Sequence, residues 1–407
     1  MPHLSFFISK GNEMKRLEML IAELISIAKS YQLDVSNFEI KWVNPIFLNE
    51  LLINGYEKRP YFYKTHQNNE YFSPEVFVFG QPHTIYLNED NSFEMNLFSI
   101  AHAFGHVDFV NRHTLFKIIK RDFQHMKKTF DLYVSNLVQL EGEEVVKEWL
   151  RHLRLLINWS NVHELIFINE QSLINQIVPF TIKNFNSNII KVVLNRGEFP
   201  DWIKKLMHFV TIENQYFYTV KKTKLMNEGW AAFWQLKLLE KLQLTQKEKM
   251  EIALLTAKLH KKETNGINVY SLGKTLWEQV GEDERYDISS TYLDSLFVDR
   301  FYNEYVHSKE QISYLIKSYE FPVTNFKDVK KQLINAVLFS IPLIGVNQHI
   351  TNKTGHLTIN YINIPFPVSI TYILELKKVL ELILNEKVYI KPYFYDYRTN
   401  NVESCRK

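Results

Sequence analysis

Cysteine is almost missing from this sequence: Cys405 is the only one in 407 residues. An internal disulfide and a cysteine-only metal cluster are therefore excluded, and a reducing interior fits the chain best. Long apolar runs are missing as well. The longest, around Val337 to Val346, is broken by Ser340 and Pro342 and falls short of the roughly 18 to 20 residues that span a bilayer. The opening MPHLSFFISKGNEMKR has only Leu4 to Ile8 as an apolar run, with no basic stretch ahead of it and no small-residue cleavage site behind, so a secretion signal is not expected. A cytoplasmic protein without a membrane span is the expectation. No long block of like charges occurs and the formal net charge is only +3, so nucleic acid is not an expected partner. A Gly-rich phosphate loop, a Gly-x-Ser-x-Gly elbow and a nucleophilic cysteine are all absent, which removes the ordinary nucleotide-binding and acyl-transfer readings.

What is present suffices for a packed core. At 46% hydrophobic and 23% charged residues the composition is that of a globular chain rather than a disordered one. Leu17, Leu20, Ile21, Leu24, Ile25 and Ala28 recur at three and four residues, which predicts a helix over Asn12 to Tyr31. Phe38, Ile40 and Trp42 alternate with polar neighbours and predict a short strand over Phe38 to Val43. The stretch from Tyr56 to Gln81 is polar, aromatic and aperiodic. Asp90-Asn91-Ser92 followed by Glu94 resembles an N-cap with a reciprocal carboxylate, so a helix should start near Ser92. Helical periodicity then dominates Lys120 to Tyr133, Glu143 to Trp159, Trp202 to Tyr218, Lys224 to Lys241, Gln246 to His260 and Ser271 to Val280. Ala336 to Val346 and His356 to Ile364 read as strands, Thr371 to Leu384 as a helix and Lys387 to Tyr395 as a strand. The expected fold is mainly α: a large helical body over residues 1–325, and a small α+β unit, strand-strand-helix-strand, over residues 326–407.

Two segments carry chemistry. In the helix opening near Ser92, the residues Met95, Phe98, His102, His106 and Phe109 follow helical spacing, so both histidines fall within the apolar stripe and should point inward. Buried imidazoles need partners, and a pair four residues apart presents two nitrogens to one point, as metal ligands do. Ala103 stands where the zinc-protease helix carries its glutamate, so that chemistry is not expected in its usual form. In the second segment, Glu228 lies at the edge of the apolar face formed by Leu225, Trp230, Phe233, Leu236 and Leu239. Gly229, Ala231 and Ala232 beside it leave room for a close approach. Trp230 and Trp234 read as core residues. Two histidines and one carboxylate would make a three-ligand set with a position left for water.

The segments YLNEDNSFEMNLFSIAHAFGHVDF and YFYTVKKTKLMNEGWAAFW resemble the two hallmark segments of the stage V sporulation protein R family. The likeness continues through FPDWIKKLMHFV, INVYSLGKTLWEQV and STYLDSLFVDRF in family order. The family pattern carries onto His102, His106 and Asp108, onto Asn227, Glu228, Gly229 and Trp230, and onto Glu213 and Tyr216; His125, His260, Asn268, Tyr270 and Gly273 match it less fully. Gln235 stands where the family usually has a histidine, and is a poorer metal ligand. The family's tryptophan-containing segment is shortened around Tyr61 to Gln81. The resemblance implies a cytoplasmic protein of endospore formation, acting in building the spore cortex; a protein partner in sporulation is a separate expectation. The resemblance itself implies no reaction; the two inward polar motifs together with it give the leading expectation, that His102, His106 and Glu228 hold one divalent transition metal, zinc first, in a hydrolytic centre where Glu228 and Glu213 are the catalytic carboxylates. The rival reading is a non-enzymatic regulatory or partner-binding protein in which the same residues form a buried polar network.

Overall fold

A computed structural model describes residues 2–52, 74–157, 185–186, 189–262, 267–313, 323–338, 340, 343–363, 369–396 and 401–404. The aperiodic stretch from Tyr56 to residue 73, the side chain of His125 and Cys405 lie outside the described residues. Among the described residues the fold is mainly α, with two small sheets. The first helix covers Pro2–Ser30 and buries Leu17, Leu20, Leu24 and Ala28, the stripe that its periodicity predicts. Strand β1 is Phe38–Val43 as expected from its alternation. It pairs in parallel with β3 (His83–Asn88), which also takes β2 (Glu75–Val78) antiparallel on its other edge.

The histidine helix runs over Phe93–Arg112. Ser92 is its N-cap, its hydroxyl accepting from Met95 N at 3.1 Å. The reciprocal half of a capping box does not form, because Met95, not a carboxylate, occupies the third helical position. From Asn96 to Val110 every residue is buried, which a helix achieves only when neighbours surround it. The glutamate helix, Lys224–Leu239, lies along one side of it. At the crossing, a Cβ added to Gly105 would sit 2.4 Å from Ala231 Cα. On its other side the glutamate helix meets the helix Val269–Trp277, where a Cβ on Gly229 would sit 2.3 Å from the Gly273 carbonyl carbon. Both crossings are backbone to backbone and need residues without side-chain bulk.

Among the described residues two hydrophobic cores result. The first gathers the initial helix, the three-stranded sheet, the histidine and glutamate helices, Val269–Trp277 and the helix Phe326–Leu338. The second lies between Glu143–Ile157, Ile189–Arg196 and the C-terminal sheet with its helix Ile370–Leu384. The helix Asp201–Lys222 joins them, giving Phe209, Tyr216 and Tyr218 to the first and Ile203, Leu206, Met207 and Val210 to the second.

The C-terminal sheet has the order β4 (Phe185–Asn186), β5 (Leu343–Asn347), β6 (Thr358–Asn363), β7 (Tyr389–Asp396), β8 (Asn401–Ser404). Its β5, β6, helix and β7 are the expected strand-strand-helix-strand unit, with β6 and β7 parallel across the helix. One boundary differs: Ala336 is helical, because Val329, Leu333, Ile334 and Leu338 continue a helical stripe into the first core. The strand begins only at Leu343. No described helix is long and apolar enough to cross a membrane.

Candidate metal centre

The apolar stripe of the histidine helix places His102 and His106 where it predicts, 6% and 7% exposed. Their rings stand edge to face, with centroids 4.7 Å apart. Across the helix crossing, Glu228 Oε2 lies 3.6 Å from His102 Nε2 and 3.5 Å from His106 Nε2. The three residues are thus brought together at one point. Both separations are longer than a hydrogen bond of this type. They are close to the ~3.3–3.4 Å that separates two ligands held at about 2.0–2.1 Å on a tetrahedral ion.

The surroundings set the tautomers. His106 Nδ1 is 2.9 Å from the Asn227 side-chain oxygen. That oxygen only accepts, so Nδ1 carries the hydrogen and Nε2 of the neutral ring presents its lone pair toward Glu228. Phe77 stacks on the His106 ring at 5.6 Å, and Tyr270 leans on His102 at 5.7 Å. Burial, opposed by Glu228 and Asn227, holds the His106 pKa down at about 4. For His102 burial acts downward, but the neighbouring carboxylates of Glu228 and Glu75 outweigh it and raise the pKa. Burial would raise Glu228, yet the two histidines bring it down to about 2.

Glu75, on β2, was not marked by any sequence pattern. One donor atom of each of Glu75, His102 and His106 lies within 4.8 Å of the others. Burial pushes its carboxyl up to about 7, against the pull of His102 and a hydrogen bond from Ser99. No spacing rule could find it, because it opens a four-residue strand after an aperiodic stretch. Glu213 has Arg154 as an ionic partner, at 3.8 Å. Tyr216 is core, stacked on Phe79 at 5.6 Å.

The other motif residues hold the two helices in register. Asp108, fully buried, accepts from Trp230 Nε1 at 2.9 Å, from Arg112 Nη2 at 2.8 Å and from Asp34 N at 2.7 Å. Asp294 caps the glutamate helix, accepting from Leu225 N and Met226 N at 2.8 and 2.9 Å. Gln235 donates to the Phe98 carbonyl at 2.8 Å and is one of the groups that raise the His102 pKa. Trp230 and Trp234 are core, as expected, with Trp277 4.6 Å from Trp230.

Comparison with known proteins bears on the second helix in particular. The family model described as SpoVR like protein matches residues 168–291, a span that holds Asn227, Glu228, Tyr270 and Gly273 but begins after the histidine helix. A protein of Escherichia coli (strain K12), the uncharacterized protein YcgB, is 22% identical over 334 residues, covering 65% of this chain and 63% of YcgB. The matched region is therefore less than two thirds of that relative's length. No solved structure matches the chain.

Proposed function

We propose, for a chain that is a divergent member of the SpoVR-like family, that His102, His106 and Glu228 hold one divalent transition metal ion in a hydrolytic centre. At family level the protein is sporulation-associated, and the proposed place of action is the building of the spore cortex. The observation that carries the metal reading is the meeting of two imidazole Nε2 atoms with one carboxylate oxygen at 3.5 and 3.6 Å. In the neutral ring of His106 no hydrogen lies between Nε2 and that oxygen, so two electron-pair donors face each other. Such an arrangement is repulsive unless a cation or an added proton lies between them.

The donor set fits a borderline dication, since it offers imidazole and carboxylate but no thiolate. A bound dication would act as a Lewis acid and make water a stronger nucleophile. The residues of the chain supply the rest. Asn227 fixes the His106 tautomer from the rear, as hydrogen-bond partners of metal-ligating histidines do. Phe77 and Tyr270 wall the two rings, and the glycine contacts fix the helix spacing. Protein purified without chelator should contain close to one equivalent of a transition metal by elemental analysis, and His102→Ala should lose it. A metal-free preparation that also takes up none on dialysis would overturn the reading.

A second reading has its own observation. The raised His102 pKa beside the lowered Glu228 pKa favours the charged form of each, as in a polar network that organises the core without turnover. Gln235, a weak ligand that is already bonded to Phe98, fits that reading. Under it, chelator leaves the melting temperature unchanged.

A further inference from the structure

We infer that Glu75 is the fourth protein donor to the same ion, so that the ion is a five- or six-coordinate first-row dication such as manganese(II) or iron(II) rather than tetrahedral zinc. This rests on the metal reading above and deepens it. Glu75 enters from β2, an element that neither motif includes, and its donor atom lies within 4.8 Å of those of His102 and His106. Torsional adjustment of a glutamate within its rotamer well moves the carboxylate by about an ångström. Ser99, one turn before His102 on the same helix, acts on that carboxyl as a donor, the kind of outer partner that metal-ligating carboxylates take.

Charge supplies the independent argument. Glu75 and Glu228 place two partly buried carboxylates beside two buried imidazoles. Like charges there oppose each other, and a buried charge that is left unbalanced is costly. A dication with two carboxylates and two neutral imidazoles sums to zero. With Glu228 alone the same ion would leave one positive charge buried.

The coordination chemistry then selects the metal. Zinc with four protein donors is a closed structural site, whereas catalytic zinc keeps three and an open position. Manganese(II) and iron(II) accept further donors beyond four, and mixed imidazole and carboxylate sets suit them. Four protein donors and an open position are compatible on such an ion.

The test is manganese(II) titration by calorimetry on metal-stripped full chain, comparing wild type with Glu75→Gln and Glu228→Gln. One equivalent is expected in the wild type, with affinity weakened roughly tenfold or more by either substitution. A Glu75→Gln protein that binds within about twofold of wild type, while Glu228→Gln has lost binding, overturns the fourth donor but not the three-residue site. Wild-type protein that binds no dication overturns both. Should Glu75→Gln fail to fold, X-ray absorption at the metal edge of the wild-type protein decides. A shell of five or six nitrogen and oxygen donors is expected, and a four-donor shell at about 2.0 Å overturns the assignment.

Discussion

Asp108 is fully buried and Glu228 partly buried at the same helix junction, and they are stabilised in different ways. Asp108 has donors on both oxygens, from Trp230, Arg112 and the backbone of Asp34, so its role is to tie the histidine helix to the glutamate helix. Removing one partner of such a buried, charged network costs about 3–5 kcal/mol. Asp108→Ala should therefore lower stability by that amount in urea denaturation; a loss under about 1 kcal/mol would mean that the network carries little. His113 gives a pH dependence. Its Nε2 donates to the Tyr292 carbonyl at 2.9 Å and its Nδ1 accepts from Leu115 N at 3.2 Å. Both nitrogens are committed in the neutral ring, and burial, the largest influence, holds its pKa at about 4 against 6.5 unfolded. The native state thus binds fewer protons than the unfolded state between those values. Its contribution is complete above pH 6.5, is lost as pH falls toward about 4 and changes no further below that, a loss on the order of 3 kcal/mol. His113→Asn keeps an acceptor for the cap and should flatten this part of a stability–pH curve; an unchanged slope would contradict the assignment. At this scale the histidines were legible because they interrupt an apolar stripe, whereas Glu75 was not, because its partners come from another element. Glu213, taken from the family pattern, has Arg154 as its ionic partner.

Elements were the most legible part of the sequence. The helix over Lys224 to Leu239 and the strand Phe38–Val43 follow directly from periodicity; in the helix local pattern and burial agree, whereas Trp42 of the strand is exposed. What periodicity does not contain is which faces meet. The parallel pairing of β1 with β3 spans the aperiodic stretch, and the helix crossings depend on Gly105, Gly229 and Gly273, which sequence reading takes as weak points in a helix. These crossings make a direct prediction. Gly229→Ala and Gly273→Ala each place a Cβ within 2.5 Å of backbone, so the helices must separate, at a cost of about 1–3 kcal/mol or more. Gly281→Ala, whose Cβ would meet nothing closer than 3.8 Å, should change stability by less than about 0.5 kcal/mol. Equal effects of the three substitutions in thermal melts would show that close packing does not position the site.

For the whole molecule, the site sits where the first core brings together two helices and the small sheet. A dication bound there stabilises the fold by mass action, by about 2.7 kcal/mol at a hundredfold excess over Kd. Chelator should lower the melting temperature and the added ion should restore it; an unchanged temperature would favour the metal-free network. In an endospore-forming host that makes this protein, its loss should thin the cortex seen by electron microscopy, and a normal cortex would contradict the proposed place of action. The central claim has the most direct test in a crystal of protein purified without chelator, with diffraction recorded on both sides of the metal absorption edge. The expected result is one anomalous peak about 2.0–2.2 Å from His102 Nε2, His106 Nε2 and a Glu228 carboxylate oxygen. A map with no peak there, and with His102 closed onto Glu228 at ordinary hydrogen-bond distance, would contradict it.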